Sequence, residues 1–586
     1  MSYFRVQKSF FNSLKLQFIQ TRRISDIQKK IKDSYFYMHG DARLLSICVG
    51  DIINQSADIC GDRPAIISVH QNLSKNYSEF RHESEKLASG FLSIGLRKGD
   101  RIALWSPNCY EWILTQHAAA KAGLILVNIN PANQAAELEY CLKKVGCKAL
   151  VLWDVLKTQD YYKILCNTIP DLPKSIPGKL KNSNLPNLES VIIISDDKKD
   201  GILNFKDILN NGNKESDKML SDIQKLIQFD DPVNILYTSG TTGSPKGAVL
   251  THHNLVNNAL LAGRGFGFNL FRPVNCVHLP LFHAFGSVHG SLTTFLYQGT
   301  SVLPSATFDA ISSLKAIEKY KCTTVFGTPT MYVDLIHKCK SGNFNIGALK
   351  QGILGGAASS ASLIKEIRDE LDIPHLQVGY GCTETSPAVA SNRYVEDFHN
   401  VEHSIMQPIE YIELKVINNK NQLVPVNTQG ELCVRGHNIF VGYWGDEEKT
   451  AEAIDKTHWY HTGDLAMMTE YGFVKLVGRI KDMIIRGGEN IYPLEVENFI
   501  NTHPAVREVH ICGVPDKRMG EEACAWLLLK DGMHLTEEEV KAFCKGKISH
   551  FKIPRYIMFV EEFPKTGSGK IKKIEMTKIS IEKLSL

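Results

Sequence analysis

The sequence predicts an α/β protein with a large N-terminal domain of layered α/β sheets and a small α+β domain at the C-terminus. Strands and helices alternate over residues 88–160, as in a parallel sheet covered by helices on both faces. The alternation resumes at Val233 and continues to about Gly478. After Lys481 the pattern changes, which predicts a separate small domain. A chain of 586 residues is also too long for a single ordinary core.

Individual elements follow from local patterns of apolar residues and from glycine or proline stops. Residues 168–230 are rich in Pro, Asn, Lys and Asp, which predicts a variable surface segment and no separate domain. Residues 432–435 and 473–477 are predicted as strands of an antiparallel, β-barrel-like section. The other predicted elements are, in order, helix 87–94, strand 101–105, helix 110–122, strands 124–128, 149–153 and 233–237, helix 494–501, strands 509–514 and 523–529, and helix 537–545.

Composition excludes several classes of protein. Hydrophobic residues make up 43 % and charged residues 22 %, the balance of a soluble globular protein. A formal net charge of +4 does not indicate a nucleic-acid partner, and no apolar run is long enough to predict a membrane span. The 14 cysteines form no Cys-x-x-Cys pair, which favours reduced thiols inside a cell. Cys and His are not clustered at short spacing, so the sequence predicts no zinc site.

The N-terminus has a different character from the rest of the chain. Residues 1–25 contain five basic residues and no acidic one, and apolar residues recur on one helical face. This pattern is typical of a mitochondrial transit peptide and predicts the mitochondrial matrix. A basic tail on a cytoplasmic protein is the alternative.

A glycine-rich loop is the strongest functional signal in the sequence. The apolar run 233–237 leads into Thr238, Ser239, Gly240, Thr241, Thr242, Gly243, Ser244, Pro245, Lys246 and Gly247. Glycines let the backbone approach an anion closely, and N–H groups, hydroxyls and one lysine can surround phosphate oxygens. The loop is not a Walker loop, because Pro245 stands where that pattern requires glycine and Gly247 follows the lysine.

The string Tyr237–Gly247 resembles the phosphate loop of the adenylate-forming superfamily, which contains acyl-CoA synthetases, luciferases and peptide-synthetase adenylation domains. The resemblance covers residues 40–578. Within it, residues 478–493 and 546–554 are similar to those of mitochondrial medium-chain acyl-CoA ligases. It implies a ligase that converts a fatty acid, ATP and coenzyme A into acyl-CoA through an acyl-adenylate, with Mg²⁺. It also implies a large domain over 40–480 and a mobile domain over 482–580.

Further motifs match this superfamily, and each implies a role for its residues. The phosphate loop, Thr238 to Gly247, would hold the β and γ phosphates. The implied nucleotide contacts are Gly355, Gly356 and Ala357 beside adenine, Tyr380 stacked on adenine, Thr383 at the α-phosphate, Glu384 on Mg²⁺, and Asp464 with Arg479 at the ribose. The implied catalytic and CoA-side residues are Lys570 at the reacting phosphate, His283 beside the carboxylate, Lys481 at the hinge, and Gly487, Gly488 and Glu489 toward coenzyme A.

The acyl pocket is located only by fold analogy, to residues 283–290 and 327–332. Three alternative functions share the motifs: an adenylation module that feeds a carrier protein, a luciferase-like oxygenase, and a non-catalytic binder. The presence of Lys570, Glu384 and Asp464 favours an active enzyme. Peripheral association with a membrane stays open, and the sequence indicates no oligomeric state.

Overall fold

The computed structural model describes residues 30–238, 245–487, 489–566 and 570–586. The predicted transit peptide, residues 1–25, lies outside the described residues. So do residues 239–244 of the phosphate loop, Gly488, and residues 567–569 just before Lys570.

The first sheet carries the phosphate loop near one edge. All of its strands from Leu203–Asn204 to Pro232–Thr238 run parallel, and the last two neighbours are antiparallel. Alternate residues of the strand Arg101–Trp105 enter two different hydrophobic clusters, so both faces of the sheet are covered, as predicted. In spatial order the strands are Leu203–Asn204, Ser190–Ile194, Ala149–Trp153, Arg101–Trp105, Ile125–Ile129, Pro232–Thr238, Lys246–Thr251 and Gly442–Tyr443.

The second sheet is parallel in its centre and antiparallel at both edges. Its central strands end at the same edge, where Gly327, Leu354 and Tyr380 lie. Ligands of open α/β sheets bind at the carboxyl ends of parallel strands, so this edge positions the candidate site. In spatial order the strands are Gln407–Pro408, Ala390–Ser391, His375–Tyr380, Gln351–Leu354, Thr324–Gly327, Val274–Cys276, Thr300–Leu303, Pro64–Ser68 and Leu73–Asn76.

The helices of the large domain pack against these two sheets and against each other. Their starts are set by polar caps: Asn76 accepts a hydrogen bond from Glu79 N, and Thr251 accepts one from Asn254 N. The α-helices are Val49–Cys60, Tyr77–Ser93, Tyr110–Lys121, Ala135–Val145, Tyr161–Thr168, Phe205–Asn210, Lys214–Gln224, His252–Gly265, Thr293–Leu296, Ala310–Tyr320, Pro329–Ser341, Ala361–Glu370, Phe398–Glu402 and Glu447–Ala453. A π-helix covers Phe285–Leu292.

Residues 168–230 are more than the variable surface segment that their composition predicted. Ser190–Ile194 is a fully buried strand of the first sheet, and Phe205–Asn210 and Lys214–Gln224 are helices that pack on Tyr77–Ser93. The apolar run at Val191 supplies enough buried surface for a strand, although polar loops surround it. As predicted, the segment is not a separate domain.

A third sheet, antiparallel throughout, corresponds to the predicted β-barrel-like section. It consists of Tyr35–Tyr37, Ile412–Ile417, Gly430–Gly436, Tyr460–Met468 and Val474–Arg479. The sheet curves so that its two edges approach each other. Phe36 of one edge strand packs on Gly472, in the turn before the opposite edge strand. Ile31 N, just before the first strand, donates to Glu470 O at 2.9 Å. The strand Tyr35–Tyr37 lies before residue 40 and pairs with Ile412–Ile417.

The C-terminal region forms a small α+β unit around its own sheet. Its strands are Glu489–Ile491, Ile484–Arg486, Gly520–Leu529, Val506–Asp516 and Tyr556–Phe559, and its α-helices are Pro493–Ile500, Glu537–Cys544 and Lys573–Leu584. The buried carboxylate of Glu497 ties this unit together, since its Oε1 accepts from Ile511 N and from Lys573 Nζ, both at 2.7 Å. Lys573 begins the last helix, so this ion pair anchors the segment that carries Lys570.

In the part of the chain that the structure describes, no helix has the length and apolar character that crossing a bilayer requires.

Candidate active site

The two ends of the phosphate loop are held together by the first sheet. Thr238 and Lys246 are paired residues on antiparallel strands, so the loop between them leaves and re-enters the sheet at one point. Tyr140 donates its hydroxyl hydrogen to Pro245 O at 3.0 Å, and Tyr237 donates to Cys141 O at 2.6 Å. The described ends of the loop are therefore fixed against the helix Ala135–Val145.

Lys246 and Glu384 are joined by a residue that the sequence did not single out, Tyr443. The Lys246 ammonium lies 4.7 Å from the centre of the Tyr443 ring. The Tyr443 hydroxyl donates to Glu384 Oε1 at 2.8 Å. Burial and the neighbouring Glu384 carboxylate raise the pKa of Tyr443, so the phenol stays protonated and remains a donor. The only hint in the sequence was an aromatic pair, Tyr443 and Trp444, after Gly442.

Glu384 lies in the tight turn Thr383–Thr385, directly after the strand that ends at Tyr380. Its side chain is buried, and its backbone carbonyl accepts from Phe440 N at 3.0 Å. Thr383, half-buried, begins the same turn. A buried carboxylate beside an anion-binding loop is a suitable ligand for a hard cation that also binds phosphate oxygens.

Tyr380, Asp464 and Arg479 form one hydrogen-bonded group. Tyr380 donates its hydroxyl hydrogen to Asp464 Oδ2 at 2.7 Å, and Arg479 Nε lies 2.9 Å from Asp464 Oδ1. Asp464 and Arg479 are paired residues of adjacent strands. Both carboxylate oxygens of the buried Asp464 are thus engaged by side chains that the sequence placed around the nucleoside.

A β-bulge directs Asp464 into this group. Cys433 pairs with His461, but Glu431 pairs with Leu465, so the strand Tyr460–Met468 contains extra residues at this point. Gly463 has a φ of +68°, and Thr462 Oγ1 donates to Leu432 O at 2.7 Å. Bulges of this kind turn a side chain out of the regular alternation of a strand.

Gly355, Gly356 and Ala357 follow the strand Gln351–Leu354 at the carboxyl edge of the second sheet. A Cβ on Gly355 would lie 3.3 Å from Gly379 O and 3.4 Å from the Phe285 ring, so the backbone is closely packed here. Gly356 has a φ of +83°, a conformation that favours glycine. The turn lies beside the strand that ends at Tyr380.

Lys570 belongs to the C-terminal unit, and its side chain is exposed to solvent in an open cleft beside the large domain, within electrostatic range of Glu384, Asp464 and Arg479. The protein atoms around the cleft lower its pKa by partial desolvation, the Arg479 guanidinium lowers it further, and Cys382, Glu384 and Asp464 act in the opposite direction. Thr566 N donates to Lys570 O at 2.7 Å, and Lys570 N donates to Thr566 Oγ1 at 3.1 Å. These backbone contacts hold Lys570 where the charges of Glu384, Asp464 and Arg479 act on it.

His283 lies at the same cleft with its imidazole neutral. Burial lowers its pKa to about 3, and the positive charge of Lys570 contributes. Within the described part of the chain its Nε2 is buried and has no hydrogen-bond partner. The ring stacks on Phe282 with 4.1 Å between centroids. Phe285, two residues further along the chain, contacts both Gly355 and Phe326.

The predicted hinge and coenzyme A residues lie in the turn and the sheet that follow Arg479. Lys481 is in the short turn Ile480–Asp482, between the last strand of the third sheet and the first strand of the C-terminal sheet. Burial lowers the pKa of Lys481, and Arg479 contributes. Gly487 donates its N–H to Met519 O at 2.7 Å, and Glu489 is exposed and pairs with Arg486. These contacts hold Gly487 and Glu489 within the C-terminal sheet.

Comparisons with known proteins agree with this geometry. Residues 53–444 match the family model of AMP-binding enzymes, and residues 495–570 match the AMP-binding enzyme C-terminal domain. The chain is 43 % identical over 568 residues to medium-chain acyl-CoA ligase ACSF2, mitochondrial, of Macaca fascicularis, covering 96 % of this chain and 92 % of the relative. It is 44 % identical over 558 residues to the protein of that name from Bos taurus, covering 94 % and 91 %.

Solved structures share the fold over nearly their whole length. The crystal structure of ATP-bound MatB from Rhodopseudomonas palustris matches with a TM-score of 0.75 and 25 % identity, covering 91 % of this chain and 99 % of that one. The anthranilate CoA ligase AuaEII in complex with anthranoyl-AMP matches in fold with a TM-score of 0.81 and 24 % identity, covering 93 % and 99 %. The chain belongs to the family of AMP-binding enzymes.

Proposed function

We propose that this protein is an ATP-dependent medium-chain acyl-CoA ligase, which converts a fatty acid, ATP and coenzyme A into acyl-CoA, AMP and diphosphate. Relatives that are 43 % and 44 % identical carry the name medium-chain acyl-CoA ligase. The observation that carries the proposal is that Lys570, from the C-terminal unit, lies within electrostatic range of Glu384, Asp464 and Arg479 of the large domain.

The first step would form an acyl-adenylate. The fatty acid carboxylate attacks the α-phosphorus of ATP, the bond to the β-phosphate oxygen breaks, and diphosphate leaves. The phosphate loop from Thr238 to Gly247 would hold the β and γ phosphates, Thr383 the α-phosphate, and the pair of Asp464 and Arg479 the ribose. Catalysis would come from positioning and from the positive charge of Lys570 where negative charge redistributes.

The nucleoside would be bound by groups that already hold each other. In this structure Asp464 accepts from Tyr380 and pairs with Arg479, so the carboxylate is fixed before ATP arrives. A carboxylate with two fixed oxygens can accept hydrogen bonds from both hydroxyls of a ribose. Tyr380, Gly355, Gly356 and Ala357 would form the adenine side.

The residues around Glu384 fit a magnesium ion. Its carboxylate is buried, oriented by the Tyr443 hydroxyl at one oxygen, and close to the described ends of the phosphate loop. Glu384 would hold Mg²⁺, which when bound neutralises charge on the phosphate oxygens.

The second step would use the other face of the C-terminal unit. We propose domains over residues 40–480 and 482–580, with rotation about Lys481 after diphosphate leaves. The rotation would remove Lys570 and bring Gly487, Gly488 and Glu489 toward a pantetheine tunnel. The thiolate of coenzyme A then attacks the acyl carbonyl, and AMP leaves with the bonding electrons of the acyl–oxygen bond.

The acyl pocket would lie beside His283. Its neutral imidazole adds no charge next to the fatty acid carboxylate, and aromatic rings line the approach, with Phe285 5.8 Å from Phe326 between centroids. Residues 283–290 and 327–332 would be its walls.

Diphosphate release with a series of C2 to C18 fatty acids, with and without coenzyme A, tests the proposal. The expected result is release that peaks with medium-chain acids and acyl-CoA formation that requires coenzyme A. Absence of diphosphate release with every acid would refute the proposal, and formation of the adenylate without transfer to coenzyme A would favour a carrier-dependent module instead.

We propose the mitochondrial matrix as the location, because the relatives are named mitochondrial and residues 1–25 have the composition of a transit peptide. A fusion of residues 1–25 to a fluorescent protein should enter mitochondria. A cytoplasmic distribution of that fusion and of the full chain would contradict it.

A further inference from the structure

Three metal-ligating side chains meet on adjacent strands of the third sheet, outside the proposed active site. Glu431 and Cys433 are on Gly430–Gly436, and His461 is on Tyr460–Met468. Their ligand atoms lie within 4.8 Å of one another. We propose that Glu431, Cys433 and His461 bind a zinc ion.

The two distances from the imidazole nitrogen match a tetrahedral zinc site. Zinc bonds of about 2.0 Å to nitrogen and oxygen and about 2.3 Å to sulfur place nitrogen and oxygen about 3.3 Å apart and nitrogen and sulfur about 3.5 Å apart. His461 Nδ1 lies 3.1 Å from Glu431 Oε2 and 3.6 Å from Cys433 Sγ. His461 Nδ1 is therefore spaced from both other ligand atoms as in a zinc site, and those two atoms lie within 4.8 Å of each other.

A second carboxylate orients the imidazole for this role. Asp455 Oδ2 lies 3.5 Å from His461 Nε2, on the side of the ring away from Glu431 and Cys433. Asp455 is itself fixed, because its Oδ1 accepts from Thr457 N at 2.7 Å and Trp459 N at 3.0 Å. A carboxylate behind the distal nitrogen favours the tautomer whose Nδ1 lone pair faces the metal.

The ligand set and its exposure select the type of ion. The side chains of Glu431 and His461 are each 20 % exposed, while Cys433 is buried. Three protein ligands would leave a fourth position for water, reachable from solvent. A thiolate and an imidazole favour Zn²⁺ over Mg²⁺ and Ca²⁺, so the site would not compete for the ion that Glu384 is proposed to hold.

The bound ion would also stabilise the turn that presents Asp464, the residue proposed to bind the ribose. Glu431 Oε1 accepts from Gly463 N at 3.2 Å, and Gly463 immediately precedes Asp464. An ion bound to Glu431 and His461 would connect both ends of the β-bulge that presents Asp464. The expected role is structural, because the ion would not contact ATP.

A metal-free ion pair is the competing explanation of the same contacts. Hydrogen bonds from His461 to Cys433 and Glu431 raise its pKa to about 10, so without metal the imidazole would be protonated and paired with Glu431. The protein takes up zinc from solution under the first explanation and takes up no metal at these residues under the second.

Binding of Zn²⁺ and Co²⁺ to chelator-treated full-length protein without nucleotide distinguishes them. We expect one equivalent of Zn²⁺ in calorimetric titration, a higher melting temperature with zinc, and a thiolate-to-cobalt charge-transfer band with Co²⁺. Cys433→Ser should lose the band and the bound equivalent. Asp455→Asn, which keeps the Oδ1 acceptor, should weaken zinc binding roughly 10- to 100-fold.

Two cysteine variants serve as controls. Cys339→Ser removes a partly exposed thiol that is far from Cys433 in the sequence. Cys382→Ser removes the thiol two residues before Glu384. Both should keep the cobalt band, which excludes an origin in the ATP site. His461→Gln replaces Cys433→Ser if the latter does not fold. The proposal is overturned if the wild-type protein takes up no zinc, or if uptake and the cobalt band persist in Cys433→Ser or His461→Gln.

Discussion

Replacing Tyr443 by phenylalanine removes one hydrogen bond at the centre of the proposed magnesium site. The hydroxyl donates to Glu384 Oε1 at 2.8 Å, and both side chains are buried. Phenylalanine keeps the ring that lies 4.7 Å from the Lys246 ammonium, so the phosphate loop retains that contact. The change therefore isolates the orientation of the Glu384 carboxylate.

The size of the effect follows from the nature of this bond. A hydrogen bond to a charged group contributes roughly 1.5–3 kcal/mol. If the orientation of Glu384 is used in adenylation, the same energy is lost from the transition state, which lowers kcat/KM for ATP roughly 10- to 150-fold. This loss of kcat/KM should be smaller at high magnesium concentration, because a higher concentration of the ion compensates for a weaker binding site.

Diphosphate release at varied ATP and magnesium concentrations measures this loss. Tyr77→Phe is the matched control, because its fully buried hydroxyl donates to Gly299 O at 2.6 Å, within the core of the large domain. The control should lose about 1 kcal/mol of stability and no activity. A kcat/KM for Tyr443→Phe within twofold of wild type would refute the role given to this contact.

Three further predictions concern the same cleft. Gly381→Ala should lower stability by roughly 1–3 kcal/mol in thermal unfolding, because the added Cβ would lie 1.7 Å from Pro387 O. Gly379→Ala is the control and should have little effect, because an added Cβ would meet nothing within 4 Å. Asp464→Asn should raise the KM for ATP at least about tenfold in steady-state assays, with the KM for the fatty acid unchanged. Lys570 is charged below its pKa, which partial desolvation and the Arg479 charge lower, so single-turnover adenylate formation should fall at a lower pH than an ordinary lysine would give. Lys570→Arg should extend activity to higher pH.

The sequence predicted the residues of the candidate site better than their contacts. Motifs identified Asp464 and Arg479, and the structure places them side by side. The β-bulge that presents Asp464 depends on which residue of Gly430–Gly436 lies opposite each residue of Tyr460–Met468. Strand register of this kind is set by tertiary packing, which no local pattern records.

Residues without a motif were missed for a related reason. Tyr443 contacts Glu384 across 59 positions of sequence, and the Cys433–His461 pair spans 28. A search for closely spaced Cys and His therefore predicted no zinc site. The buried strand Ser190–Ile194 was missed because its surroundings are rich in loop-forming residues.

Lys570 is proposed to serve adenylate formation and to leave the site before the thioester forms. The most direct measurement compares the two half-reactions of Lys570→Ala in single turnovers. Diphosphate release from ATP and fatty acid should be abolished, while supplied acyl-adenylate should still be converted to acyl-CoA at close to the wild-type rate. An equal loss in both half-reactions would contradict it.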